Sequence, residues 1–227
     1  MIKAIFLDWG KTFSPGYRNV EKELDQILAP YDLKWSELYP CWKNFYYLRT
    51  RGRLKNDQEM FSQIQQIMQK DIPAQEIKNL LIDSYLVPQE NIDVIRHLRG
   101  NYKIGLISNH IEEWLREFLK RGGLDKLFDS IIIPTAIGIK KPDAEVYFMA
   151  LSSLDLKPEE VVFVSDELTD DLVSAKGCGI KTVWYLPNHE DSRKQREIEI
   201  AKLFKPDAII KDFAEIERVV KELNHDN

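Results

Sequence analysis

Asp8 closes the apolar run Ile2 to Leu7, Ser108 and Asn109 close the run Ile104 to Ile107, and Asp166 follows the run Val161 to Val164. Lys141, within Ile-Lys-Lys-Pro-Asp, comes after a further run, Ile131 to Ile133. Short unbroken apolar runs of this kind read as strands of a parallel sheet buried on both faces. In open parallel sheets, ligands bind beyond the carboxyl ends of the strands, so these polar residues are expected to share one edge. Two carboxylates brought together repel each other, and a divalent cation held by oxygen ligands removes that cost and leaves room for an anionic ligand. A Mg²⁺ site that receives a phosphate or a similar anion is the economical reading of two carboxylates, a hydroxyl and an ammonium on one sheet edge.

The elements that must position these residues follow from the same pattern. Two more runs, Thr182 to Leu186 and the weaker Ala208 to Ile210, extend the expected sheet. Between the runs lie helical stripes: Ile111, Trp114, Leu115, Phe118 and Leu119, stopped at Gly122-Gly123, and Ile216, Val219, Val220 and Leu223 near the end. The first and second strands are too far apart for a single crossover helix, so a subdomain is inserted there. Its apolar residues fall at helical spacing (Val20, Leu24, Ile27 and Leu28; Trp42, Phe45, Tyr46 and Tyr47; Phe61, Ile64, Ile67 and Met68; Ile77, Leu80 and Leu81), with no alternating strand pattern. The expected organisation is an α/β core from residues 1–14 and 89–227 with a helical cap over residues 15–88. The cap aromatics read as inter-helix core rather than as a stack for a ligand.

Composition narrows the partners. The chain has 227 residues, of which 44% are apolar and 11% aromatic, enough for a packed core and too many aromatics for a disordered chain. Its 32 basic and 37 acidic residues leave a formal net charge of −5, which offers no general attraction to nucleic acid or to an anionic membrane. Cys41 and Cys178 provide no disulfide framework and suit a reducing compartment. Only Ala4 to Leu7 separate Lys3 from Asp8, so neither a signal peptide nor a membrane span is expected, and the expected setting is the cytoplasm. Oligomeric state is not readable. His97, His110, His189 and His225 show no metal-ligand spacing, although His110 directly follows Asn109 and could touch a substrate or cap a helix.

Four segments, Phe-Leu-Asp8-Trp-Gly-Lys-Thr12, Leu-Ile-Ser108-Asn109, Lys141-Pro-Asp and Val-Ser-Asp166-Glu-Leu-Thr-Asp-Asp171, resemble in order and spacing the four motifs of the haloacid dehalogenase-like hydrolase superfamily. The helical insert resembles that of the branch whose cap follows the first motif. The resemblance implies a Rossmann-like three-layer core and phosphatase activity on a small phosphorylated metabolite, with Mg²⁺ as cofactor. It implies Asp8 as a nucleophile that forms an aspartyl-phosphate, with Ser108, Asn109 and Thr12 on the phosphoryl group and Lys141 neutralising charge on Asp8 and substrate. It also implies Asp8, Asp166 and the Gly10 carbonyl as metal ligands, and Asp171 either holding a metal-bound water or orienting Lys141. From the residues alone, Asp170, Asp171 and the preceding Glu167 also read as the acidic first turn of a helix.

One departure stands out. Phosphatases of the superfamily usually carry a second aspartate two residues after the nucleophile, where it protonates the leaving alcohol and then activates water. This chain has Gly10 there, and Lys11 in place of the usual glycine. A positioned general acid or base contributes roughly 10² to 10⁴ in rate, so turnover should suffer least on substrates with good leaving groups. Branches without that aspartate supply alternatives. Phe-Val-Ser165 and Lys-Pro-Asp-Ala-Glu-Val-Tyr147 resemble dehalogenases, while Asp8-Trp9-Gly10 resembles phosphonoacetaldehyde hydrolases, for which Lys55 would be the Schiff-base lysine. A non-catalytic descendant that binds a phosphorylated ligand or a protein is a further alternative.

Overall fold

The structure is a computed structural model that describes residues 1–187 and 192–225. The first strand, β1 (Ala4–Asp8), leads through a tight loop to β2 (Gly16–Tyr17) and then to four helices, α1 (Glu21–Leu28), α2 (Trp35–Arg49), α3 (Asp57–Met68) and α4 (Ala74–Asp83). The short β3 (Tyr85–Leu86) returns the chain to α5 (Gln89–Leu98), β4 (Lys103–Ile107), α6 (Glu112–Arg121), β5 (Ser130–Ile132) and α7 (Ala144–Leu154). Then come β6 (Val161–Ser165), α8 (Val173–Gly177), β7 (Lys181–Tyr185), α9 (Ser192–Phe204), β8 (Ala208–Ile210) and α10 (Ile216–His225).

Six strands form one sheet in the order β5-β4-β1-β6-β7-β8, every neighbouring pair parallel. The chain winds from β1 outward to β5, then returns across β1 to β6, which makes the carboxyl end of β1 the topological switch point where ligands bind. Strand alternation sorts side chains into two layers. Ile5, Leu7, Ile104, Leu106 and Val164 pack with Ile95, Leu115, Val219 and Val220 from α5, α6 and α10. Ala4, Phe6, Phe163 and Trp184 pack with Val146, Tyr147 and Ala150 of α7 and with Ala175 of α8. Burying each large apolar side chain contributes about 1.5–3 kcal/mol, so these two layers dominate the stability of the core. Gly105 lies opposite Phe6 in the β1–β4 register, and a Cβ there would stand 2.1 Å from the Phe6 ring. The ring thus occupies the space that any other residue at position 105 would need.

The insert is helical, as its spacing predicts, but it is bracketed by a two-residue antiparallel ribbon, Gly16 opposite Leu86 and Tyr17 opposite Tyr85. Two residues per strand are too few to display an alternating pattern, so the ribbon leaves no mark in the sequence. Ser14 Oγ donates to the Leu86 carbonyl at 2.7 Å and Asn91 Nδ2 to the Phe13 carbonyl at 3.0 Å, tying the two crossings of this neck together.

The helical stripe on α6 does not all face the sheet. Ile111 and Trp114 join the cap's own core with Leu24, Leu38, Trp42 and Phe61, whereas Leu115 and Leu119 belong to the sheet layer. The helix lies between both bodies and therefore buries two stripes. Polar contacts reinforce this seam: Trp114 Nε1 donates to Asp57 at 2.9 Å, Arg49 pairs with Glu113 at 2.5 Å, and Lys78 pairs with Asp57 at 2.9 Å and Glu117 at 3.4 Å. Gly52 packs so closely on the core loop that a Cβ would stand 2.6 Å from the Gly138 nitrogen. No described helix is long and apolar enough to cross a membrane.

Candidate active site

The sheet register assembles the site. Asp8 is level with Ile107, so Ser108 is the next residue along, and Leu7 is level with Val164, which brings Ser165 and Asp166 alongside Asp8. Beyond Asp8 the chain turns sharply. Lys11 adopts a left-handed φ of 60° and its N–H donates to the Ser14 carbonyl at 2.6 Å. This conformation explains a glycine preference at position 11, since a side chain there is strained by roughly 1–2 kcal/mol. The same loop leaves Gly10 exposed on the cavity, with nothing within 4 Å of where its Cβ would stand.

Lys141 is the centre of the constellation. Its ammonium donates to Asp8 Oδ1 at 2.5 Å and to Asp171 Oδ2 at 2.6 Å, and it is only 4% exposed. Burial disfavours its charge, but Asp171 and Asp8 outweigh that effect and hold the ammonium above its ordinary range. Burial pushes the Asp8 carboxyl above the usual carboxylate range against the pull of Lys141, and the charges of Asp171 and Asp166 push the same way. Asp171 lies in a π-helical turn, Leu168–Leu172, and its Oδ2 also accepts from Ser165 Oγ at 2.7 Å. Of the two roles considered for Asp171, this geometry favours orienting Lys141. Tyr147 Oη donates to the Asp171 carbonyl at 2.8 Å and braces that turn.

Asn109 pins the lysine's backbone with both ends of its amide, accepting from Lys141 N–H at 2.8 Å and donating to the Lys141 carbonyl at 3.0 Å. It also lines the cavity, as does Ser108, whose Oγ accepts from the His110 N–H at 3.2 Å. Thr12, expected on the substrate, is not among the cavity-lining side chains. Its hydroxyl accepts from the Asp166 N–H at 2.9 Å and is 3.4 Å from Asp166 Oδ1, because the Lys11 turn folds residue 12 back against β6. Trp184 Nε1 donates to the Asp166 carbonyl at 3.1 Å and fixes that residue from the other side.

His110 is buried beside the cavity. Its Nδ1–H donates to the Ile111 carbonyl at 3.1 Å, and its Nε2 accepts from Tyr85 Oη, which sets a neutral tautomer. Burial pushes its pKa down to about 4. His97 pairs with Glu217 at the surface, His225 ends α10, and His189 lies outside the described residues. Lys55 is exposed two residues before α3 and does not line the cavity, which gives no support to a Schiff-base role.

The cavity has a volume of about 600 Å³. Its lining sets the carboxylates of Asp8, Asp166, Glu167 and Asp171 against the ammonium groups of Lys11 and Lys141, with Tyr17, Tyr46 and Tyr85 on the cap side. The tyrosines were not legible as site residues, since nothing in their spacing sets them apart from cap core. Of the aromatics expected in that core, Trp42 and Phe45 are buried, Tyr46 reaches the cavity, and Tyr47 is exposed under the Arg51 guanidinium, 3.7 Å from its ring.

The donor chemistry fits a hard divalent cation. Asp8 keeps one carboxylate oxygen without a hydrogen-bond partner among the described residues, Asp166 stands beside it, and Gly10 brings its backbone to the same cavity. Among the described residues no three Asp, Glu, His or Cys side chains are gathered so as to hold an ion by themselves. A cation here would therefore be completed by a main-chain carbonyl and water, as is usual for Mg²⁺.

A parallel sheet with its acidic constellation at the switch point and a helical cap above it defines the class, and the comparisons with known proteins agree. The chain belongs to the haloacid dehalogenase-like hydrolase family, whose model matches residues 47–185. That stretch holds Ser108, Lys141, Asp166 and Asp171, while Asp8 precedes it. A glyceraldehyde 3-phosphate phosphatase of Pyrococcus furiosus is 36% identical over 101 residues, 44% of this chain and 41% of that protein. The chain thus spans about two fifths of the length of that relative. In fold, a 2-haloacid dehalogenase from Pseudomonas syringae pv. Tomato DC3000 superposes with a TM-score of 0.72 at 17% identity, covering 98% of this chain and 99% of that one. A family enzyme from Bacteroides thetaiotaomicron, solved with magnesium and inorganic phosphate, superposes with a TM-score of 0.64 at 16% identity, over 86% of this chain and 99% of that one.

Proposed function

We propose that this chain is a Mg²⁺-dependent phosphatase that hydrolyses a small phosphorylated metabolite through an aspartyl-phosphate at Asp8. The observation that carries the reading is the lysine shared between Asp8 and Asp171 at the switch point, with Asp166 alongside. Lys141 holds the Asp8 carboxylate in place and presents positive charge where phosphoryl oxygens would arrive. Asp171, kept in position by Ser165, holds the lysine, and Asn109 fixes its backbone. Ser108 lines the place where a phosphoryl oxygen would accept its hydroxyl proton.

Asp8, Asp166 and the Gly10 carbonyl would hold Mg²⁺. The ion supplies charge neutralisation for a phosphate entering a cavity rich in carboxylates. Asp8 attacks phosphorus, the bond to the leaving oxygen breaks with its electron pair, and water then releases inorganic phosphate and restores Asp8. No protonated group replaces the family's second aspartate at Gly10, so the leaving oxygen departs without a proton from this position. Displacement of halide from carbon at Asp8 needs no proton donor, so the lack of an acid at Gly10 supports dehalogenation as the second reading.

The test is phosphate release from a panel of phosphomonoesters with Mg²⁺, with EDTA, and with Asp8→Asn, alongside halide release from 2-haloacids. The expected result is metal-dependent phosphate release that Asp8→Asn abolishes. Phosphate release that survives Asp8→Asn would end the assignment, and halide release without metal would transfer it to the second reading.

A further inference from the structure

A second cavity of about 390 Å³ lies inside the cap, directly beside the catalytic one. Its size falls within the ~300–1,000 Å³ typical of small-molecule sites. Trp35, Tyr39 and Trp42 of α2, Leu24 of α1, Leu81 of α4 and Trp114 of α6 contribute to its walls. Tyr17, Tyr46 and Tyr85 line both cavities, so the aromatic chamber adjoins the carboxylates around Asp8. These three tyrosines are braced. Tyr17 and Tyr85 have ring centroids 5.1 Å apart, Tyr85 Oη donates to His110, and Tyr46 meets the His110 ring edge-on at 5.6 Å.

We infer that the cap chamber is the leaving-group subsite and that the substrate is an aryl phosphomonoester, its phosphoryl group at Asp8 and its aromatic ring among the cap tryptophans. Two independent features of the chain converge on this class, and the inference rests on the phosphatase reading. The first is the chamber itself. Its ring-lined walls suit an aromatic body through offset and edge-to-face contacts. Asn19, Glu21, Lys43 and Ser84 also line the chamber and offer partners to polar substituents carried on that aromatic body. The second is Gly10. An aryloxide is the conjugate base of an acid with a pKa of about 10, as in a tyrosine side chain. An alkoxide is far more basic, close to the hydroxide formed from bulk water. An aryl ester therefore departs without the proton that Gly10 cannot supply, whereas an alkyl ester depends on it. In the step, the Asp8 carboxylate forms the bond to phosphorus, and the phosphorus–oxygen bond breaks with its electron pair on the aryloxide, which takes a proton from water. Water then attacks phosphorus, so that phenol and inorganic phosphate are the products.

The experiment separates the subsite from the chemistry. Turnover of ethyl phosphate, phenyl phosphate and 2-naphthyl phosphate is measured on the full chain, and binding of 2-naphthol to the Asp8→Asn chain is followed by calorimetry and by tryptophan fluorescence. Phenyl and naphthyl esters have similar leaving groups, so a preference between them reports on the chamber. The expected result is a kcat/KM about tenfold or more higher for 2-naphthyl than for phenyl phosphate, the scale set by added apolar surface in a pocket. Leu81→Trp, which fills the chamber, and Tyr39→Ser, at a half-exposed position, are both expected to lower that ratio and to weaken naphthol binding. Equal rates on the naphthyl and phenyl esters with no naphthol binding would overturn the subsite while leaving the phosphatase reading intact. Naphthol binding without phosphate release from any ester would overturn the phosphatase reading, and with it the assignment of an ester as the ligand.

Discussion

Restoring the missing carboxyl group by Gly10→Asp tests the central chemical argument. The structure permits the change: nothing lies within 4 Å of the new Cβ, the residue is exposed on the cavity, and its φ lies outside the left-handed region. Replacing a glycine at an unstrained position should even stabilise the fold by about 0.4–1 kcal/mol, through a less mobile unfolded chain. A positioned general acid is worth roughly 10² to 10⁴ in rate. At 1.36 kcal/mol per tenfold, that is about 3–5 kcal/mol of barrier. The gain should fall on substrates whose leaving group needs a proton. The assay compares kcat/KM for ethyl and phenyl phosphate in the natural chain, in Gly10→Asp and in Gly10→Asn, which has the same shape and no acid. Ethyl phosphate turnover should rise about 10²-fold or more in Gly10→Asp alone, and phenyl phosphate turnover by less than about tenfold. The gain on ethyl phosphate should shrink as pH rises and the new carboxyl group loses its proton. If Gly10→Asp hydrolyses ethyl phosphate no faster than Gly10→Asn, the absence of an acid at this position does not limit the reaction and the reasoning fails.

Three further perturbations follow from the packing. His110 is held neutral with its pKa pushed down to about 4 by burial, so acidification protonates the unfolded chain first and stability falls from about pH 6.5 down to about pH 4. Over that window the stability advantage of the natural chain over His110→Gln should shrink by about 3 kcal/mol in denaturant titrations, and an unchanged difference would refute the buried neutral histidine. Gly105→Ala drives a methyl group to 2.1 Å from the Phe6 ring and should lower stability by about 1–3 kcal/mol or more, read as a drop in Tm. Gly52→Ala sets a Cβ 2.6 Å from the Gly138 backbone at a φ of +64°, so hydrogen exchange around the 50–56 turn should speed up as the cap seam loosens. Unchanged exchange there would mean that the seam does not depend on this contact.

Much of the core was legible because its signals are local. Runs such as Val161 to Val164 are continuous since both faces of a central parallel strand are buried, and the polar residue at the end of each run marks the sheet edge. The helical insert was legible from its spacing and from the distance between the first two strands. The neck ribbon was not, because two residues carry no period. Nor was the division of α6, where one stripe serves two cores: Ile111 and Trp114 on the cap, Leu115 and Leu119 on the sheet. The motif resemblance implies Thr12 as a substrate contact, yet the left-handed turn at Lys11 directs it to Asp166, and backbone direction in a loop depends on long-range partners.

By itself the sequence determined which residues end the strands, that a helical body is inserted after Asp8, and that no acid stands at Gly10. These are matters of residue type and order along the chain. Only the tertiary structure decided that Lys141 joins Asp8 to Asp171, that Asn109 supports that lysine, and that Tyr17, Tyr46 and Tyr85 line both cavities. Those relations link positions tens to more than a hundred residues apart. They are set by strand register, by the docking of the cap on α6, and by the packing of side chains at the seam, none of which has a periodic signature in one dimension.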